Sequence, residues 1–307
     1  MRPLILCRPE QFEAWTCQVK YAFPRVAYFD TNVFDNILKR RNNVTAEDEM
    51  RLRSTLAGGN LSVLLSIINI QETIDARKPE IVLPQLRLIL DLTGWDQFVK
   101  PHDLVLTDDI RHFAWNGEPD RPFFLEPVVS QVRSALLRLL DGTGNLSELD
   151  DVINLNNQQK QHFLNGIENA RAETYPQIQA LIEKEHEEIP PFEQYLASQQ
   201  EKLARDFARR VGVQDECERR GTAQFLSMKS VKMTSGLGLS FMFRAAVEGK
   251  APKRGASRDL QHLVPAAAAA DTFVTHDAEL AFMVRRVPMN GFQVTTLREL
   301  LDQVAPK

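Results

Sequence analysis

The chain has 307 residues, 43% hydrophobic and 25% charged, and carries a net charge of −4. That balance belongs to a soluble globular protein with one large or two ordinary domains, and it excludes a surface that traps polyanions everywhere, so a nucleic-acid partner requires a local basic patch. The three cysteines, Cys7, Cys17 and Cys217, form no CxxC and no metal-ligand spacing, which predicts a reducing, cytoplasmic setting without a disulfide framework.

In chain order, MRPLILCRPEQ has an apolar core too short for a signal peptide. Residues 9–20 read as a short helix, and residues 1–24 as an extension ahead of the first strand. VAYF reads as a buried strand, FDNILKRR as a helix, and TAEDEMRLRSTLAGG as a charged helix capped by Thr45 and stopped at Gly58-Gly59. LSVLLSIINI is one buried apolar segment, too short and too polar for a membrane span, and it runs into Gln71-Glu72. Residues 79–94 read as a helix ended by Gly94. Residues 120–234 carry amphipathic or polar helical patterns punctuated by Pro190-Pro191, with no strand signal, and read as an all-helical insertion. After it come a basic loop, the helix DLQHLVPAAAAA with Pro265 inside it, the strand TFVTHD, the helix AELAFMVRR, the strand FQVTT and the helix LRELLDQV. An interior proline removes a helix hydrogen bond at a cost of ~3 kcal/mol, which predicts a kink or a late start. Trp95 and Trp115 show no interleaving with basic residues and read as core. Strands alternating with helices predict an α/β fold: a three-layer α/β/α architecture with a central parallel sheet, formed by residues 25–119 and 235–307.

Four acids share one kind of placement. Asp30 ends VAYF, Glu72 follows the second apolar segment, Asp277 follows TFVTH, and Asp259 opens the helix leading into that strand. In an open parallel sheet, ligands bind beyond the carboxyl ends of the strands, so neighbouring strands would bring these side chains into one crevice. Two carboxylates ~4 Å apart repel by about 4 kcal/mol at an effective dielectric of 20, and four cannot all stay ionised at neutral pH without cations. All-oxygen ligation suits a hard ion, Mg²⁺ or Mn²⁺, which can activate water and grip a phosphate; the chemistry implied is phosphodiester hydrolysis. The bland alternative is local: Asp30 caps the helix from Asn32, Asp277 caps the helix from Ala278, and Glu72 is a solvated helix residue.

FDTNVF, SIINIQETI and SRDLQHLVPAAAAADTFVTHDAEL, in this order, resemble the PIN-domain nuclease family. The resemblance covers about residues 25–115 and 235–307. It implies a PIN-like fold, Mg²⁺ or Mn²⁺ as cofactor, and endonucleolytic cleavage, chiefly of single-stranded RNA and alternatively of single-stranded DNA. The residues carried over are Asp30, Glu72, Asp259 and Asp277 as metal-holding catalytic acids, with Thr31, Asn32 and Thr275 orienting the site. Asp271 lies near the last motif and reads as an extra outer ligand or simply as the end of its helix. The departure is the helical stretch, which would form a lid, a surface for a homo-oligomer or an arm for a regulatory protein. A catalytically inactive PIN-like module binding RNA or protein is the alternative. A haloacid-dehalogenase-type phosphatase requires a second Asp two residues after the first, where this chain has Asn32.

Substrate binding requires positive charge beside the acids. From 229 to 258 stand Lys229, Lys232, Arg244, Lys250, Lys253, Arg254 and Arg258, against Glu248 alone. Lys250, Lys253, Arg254 and Arg258 lead directly into Asp259 and are the predicted phosphate-backbone contacts, with a solvated loop as the alternative. Lys39, Arg40 and Arg41 form a weaker patch. His262 lies one turn from Asp259, and His276 alternates away from Asp277; a lone histidine of this kind is more often a satisfied polar residue than a catalytic group.

Overall fold

Short apolar segments that cannot satisfy their own backbone groups must pair, and five of them do so in the computed structural model, which describes residues 24–75, 79–149, 191–248 and 256–304 together with a few single positions between 150 and 190. The strands are β1 (Arg25–Phe29), β2 (Leu61–Ser66), β3 (Gly94–Val99), β4 (Thr272–Val274) and β5 (Gln293–Thr295). All pairings are parallel, in the order β3-β2-β1-β4-β5. Ala27 sits opposite Val63 on one side and Thr272 on the other, and Phe29 opposite Val274. The chain leaves β1 toward β2 and leaves β4 toward β5, so the strand order reverses between β1 and β4. A crevice opens at the carboxyl edge where neighbouring connections diverge in this way.

Alternation along the strands supplies two apolar faces. Ala27, Phe29, Val63, Leu65 and Val274 pack under α1 (Thr31–Lys39), α2 (Ala46–Ala57), α3 (Ile67–Asp75) and α4 (Pro79–Leu92), with α6 (Glu126–Leu140) and the last helix, Leu297–Val304, in the same cluster. Tyr28, Leu64 and Phe273 face the other way. They meet α10 (Lys229–Ala246), α11 (Ala256–Ala269) and α12 (Ala278–Arg285), and Val105 of α5 (His102–Asn116) joins them. The architecture is therefore α/β, with helices on both faces of a parallel sheet. Phe29, Phe34, Phe98 and Phe273 are fully buried, each contributing ~1.5–3 kcal/mol by leaving water. Among the described residues, no helix is long and apolar enough to cross a membrane.

Several elements differ from the sequence reading. LSVLLSIINI is not one unit: the strand ends at Ser66 and α3 begins at once, with the Ser66 hydroxyl accepting the Ile68 N–H at 3.1 Å. Gly94 does not merely stop a helix; it opens β3, a strand of mixed polarity that pairs with β2 on one side and meets Phe123 in an isolated antiparallel bridge at Val99. Trp115 is 62% exposed, because the last turn of α5 buries Phe113 and Ala114 instead. The Trp95 side chain lies outside the described residues, as do the helix expected at 9–20 and most of 150–190. Pro265 lies inside α11. Thr45 and Asp48 form a reciprocal capping box at the start of α2, as expected.

No strand interrupts the helices described between 120 and 234. Their third cluster joins Ile110 and Phe113 of α5 to Ala204 and Ala208 of α7 (Phe192–Val211), Cys217 of α8 (Gln214–Arg220), Phe225 of α9 (Thr222–Ser227) and Val231 of α10. Residues 234 and 235, the sequence-based border of the insertion, lie inside the continuous helix α10.

Candidate metal centre

β1 delivers Asp30 to the carboxyl edge of the sheet, and β4 delivers Thr275 beside it. Asp30 is 4% exposed. It occupies the N-cap position of α1, yet its side chain makes no capping hydrogen bond. Instead its Oδ2 accepts the Thr275 hydroxyl at 2.8 Å and the Asn32 amide. The local capping explanation therefore fails for Asp30. It holds for Asp277, whose Oδ1 accepts the Leu280 N–H at 2.9 Å at the start of α12, while the Asp277 N–H donates to Thr275 Oγ1 at 3.0 Å.

Glu72 arrives on α3, not on a strand end. One turn earlier, Asn69 fixes that helix to β1: its amide nitrogen donates to the Phe29 carbonyl and to Thr31 Oγ1, both at 3.0 Å. Thr31 thus ties α1 to α3, and Asn69 sets the height at which Glu72 stands. From the opposite layer, α11 inserts His262, which is 1% exposed. Its Nε2 lies 3.1 Å from Glu72 Oε2 and 4.0 Å from Asp30 Oδ1. Its Nδ1 lies 2.9 Å from the Tyr28 hydroxyl, which donates to Ser66 Oγ at 2.7 Å. Asp30, Glu72 and His262 each offer one ligand atom, and these atoms all lie within 4.8 Å of one another.

The electrostatics follow from burial. Loss of water raises the pKa of Asp30, with the Glu72 charge adding to the effect, while His262 and the Thr275 hydroxyl pull it down. Burial also lifts the Tyr28 hydroxyl well above its ordinary range, and Glu72 and Asp30 push the same way. An acid with its pKa raised in the folded state costs stability when ionised, and a cation removes that cost. The donor set fits a divalent ion by two further observations. Imidazole and carboxylate are both common ligands. The Asn32 side-chain oxygen, one amide away from the Asp30 contact, is buried and has no hydrogen-bond partner among the described residues, and a cation or its water would satisfy it.

Not every expected residue joins the group. Asp271 is a correction: it precedes β4, pairs with the backbone of Val26 at the opposite edge of the sheet, and is exposed. Asp259 lies in the first turn of α11, one turn before His262, and its side chain lies outside the described residues, as does that of Arg258. Lys250, Lys253 and Arg254 also lie outside them. Arg244 does not serve a basic patch: it is 9% exposed and pairs with Glu279 at 3.1 Å and Glu248 at 3.5 Å. Lys39 and Arg41 pair with Asp35, and Arg40 with Glu49. His276 is half-buried against Asn36, with Nδ1 3.0 Å from the Asn36 amide nitrogen. The group that could hold an ion sets an imidazole beside two carboxylates, where the sequence pointed to oxygen donors alone. Asn69 and His262 carried one signal in the sequence: each stands three residues from a chosen acid, on the same side of a helix.

Compared with protein-family models, curated proteins and solved structures, the chain matches none of them.

Proposed function

We propose that the protein is a divalent-metal-dependent endonuclease of the PIN-like type, hydrolysing phosphodiester bonds in single-stranded RNA. The observation that carries this reading is the convergence of Asp30, Glu72 and His262 from three separate elements at the reversal point of the sheet. A divalent ion bound there supplies Lewis-acid charge and activates water for phosphodiester hydrolysis. The chain's own residues prepare that chemistry. Thr275 and Asn32 hold Asp30 by its Oδ2 and leave Oδ1 toward His262. Asn69 and Thr31 fix the height of α3 and with it Glu72. Glu72 is the most exposed of the three, at 20% of its side chain, so substrate reaches the group from its side. Asp259, one turn before His262, would join as a further carboxylate, and the cations before it would carry the phosphate backbone. The backbone N–H of Asp277 holds the Thr275 hydroxyl that binds Asp30.

A second reading, a PIN-like module that binds RNA or protein without cleaving it, is favoured by the 3.1 Å contact between Glu72 and His262, which can stand as an ion pair without a metal. Incubation of labelled single-stranded RNA and DNA with Mn²⁺ or EDTA, for the parent and Asp30→Asn, separates the two. The nuclease reading expects Mn²⁺-dependent cleavage of RNA that the variant loses. Equal cutting by the variant, or none by the parent, overturns it.

A further inference from the structure

We propose that His262 Nε2 is itself a metal ligand, so that with Asp30 and Glu72 it forms a mixed nitrogen–oxygen site selecting Mn²⁺, Co²⁺ or Zn²⁺ over Mg²⁺. The inference rests on the reading that this group holds a divalent ion, and adds which ion the site prefers and why.

The geometry of the second ring nitrogen carries it. A metal-bound histidine almost always donates its other N–H to a fixed partner, which sets the tautomer and the ring plane. Here the partner is built into the sheet. Ser66 Oγ, held by the Ile68 N–H where β2 turns into α3, receives the Tyr28 hydroxyl proton at 2.7 Å. In the tautomer this proposal requires, the Tyr28 oxygen accepts Nδ1–H at 2.9 Å. Nε2 then carries its lone pair toward Glu72 Oε2 and Asp30 Oδ1. Tyr28, Ser66 and His262 are all fully or almost fully buried, and the two rings meet edge to face with centroids 5.7 Å apart, so the imidazole has little freedom to turn. Two carboxylates around a nitrogen lone pair repel unless a cation stands between them.

The choice of ion follows from ligand chemistry. Mg²⁺ demands oxygen ligands in near-ideal octahedral geometry and keeps much of its water. Imidazole suits later first-row ions, whose affinity for such sites rises along the series from Mn²⁺. The opposite proton arrangement, with Nε2–H donating to Glu72, gives a plain histidine–glutamate pair and no nitrogen ligand. The two arrangements make different spectra.

The test is pulsed electron paramagnetic resonance of the full-length protein loaded with Mn²⁺. Expected is nitrogen modulation that changes when the chain is grown with [¹⁵N]histidine and disappears in His262→Gln but not in His276→Gln. Tyr28→Phe should keep the modulation and weaken Mn²⁺ binding by about tenfold or more, as loss of such an outer partner typically does. Mg²⁺ in large excess should fail to displace Mn²⁺. If His262→Gln does not fold, labelling of the parent still shows a histidine ligand, and its persistence in His276→Gln leaves His262 as the histidine placed beside Asp30 and Glu72. Mn²⁺ bound in an Asp30-dependent way without nitrogen modulation overturns this inference and leaves the nuclease proposal standing. No binding of Mn²⁺, Co²⁺ or Zn²⁺ by the parent overturns both.

Discussion

Asp30 and Asp109 are both buried carboxylates, and water loss raises the pKa of each. Their surroundings differ. Asp109, on α5 where it packs against α10, takes the Ser230 hydroxyl and feels the nearby Lys100, with Asp120 opposing; its pKa rises to about 6. Lys100 in turn is held by Asp108 at 2.8 Å and Asp120 at 2.7 Å. Asp109 is thus answered by a hydroxyl and a nearby cation. At the sheet edge, Asp30 also takes a hydroxyl, from Thr275, but its ionisable company is a second carboxylate and an imidazole, each from a different element. Burial of an acid alone is a structural event; convergence of several donors on one point is what suggests a ligand.

The sharpest way to break this contrast is substitution at both acids. Asp30→Asn should reduce Mn²⁺-dependent cleavage to the level seen with EDTA, with cooperative unfolding retained. It should also remove the stabilisation that saturating Mn²⁺ gives, ~2.7 kcal/mol at a hundred times Kd. Asp109→Asn should leave ion binding unchanged, as read by the same titration. Equal loss of binding in both variants would erase the distinction.

Asp109 should instead reveal itself through pH. Its folded-state pKa, about 6, lies above the ordinary 3.8. The folded protein therefore holds a proton that the unfolded chain has released, and stability falls as pH rises from about 4 through 6. Asn does not titrate, so the variant should gain on the parent by on the order of 2–3 kcal/mol between pH 4 and 7.5 in denaturant unfolding. A pH-independent difference would contradict the assignment. Ser230→Ala, which removes a donor to a charged acceptor, should cost ~2 kcal/mol at pH 7.5 and less at pH 4.5, where the acid is neutral. The smallest effect is expected at Gly236 on α10, where an added Cβ would lie 2.6 Å from Val287 Cγ1. Gly236→Ala should lower stability by ~1–2 kcal/mol without altering Mn²⁺ affinity, which would confine the damage to helix packing.

Much of the frame was legible residue by residue. VAYF, TFV and QVT are short, apolar or β-branched, and bounded by turn or cap residues, so their strands follow from local chemistry, whereas LSVLLSIINI hid the change from strand to helix at Ser66. Thr45 and Asp48 announce a helix start in the same way. β3 was hidden because GWDQFV mixes polarity and gains its identity from pairing with β2 and from the bridge between Val99 and Phe123. Asp30 was selected for its place after a strand, and the structure distinguishes it from Asp277, whose side chain caps its helix while that of Asp30 is buried beside Glu72 and His262.

By itself, the sequence determined the periodicities, and with them most of the elements, the two-faced sheet and the acids standing near element ends. These are properties of neighbours within a few residues. Only the tertiary structure decided that Asp271 stands at the wrong edge, that Arg244 is neutralised by Glu279 and Glu248, and that His262 faces Asp30 across 232 positions of chain. Which side chains meet depends on strand order and on how helices lie across the sheet. That arrangement is fixed by summed burial of the whole core, a quantity no short stretch contains.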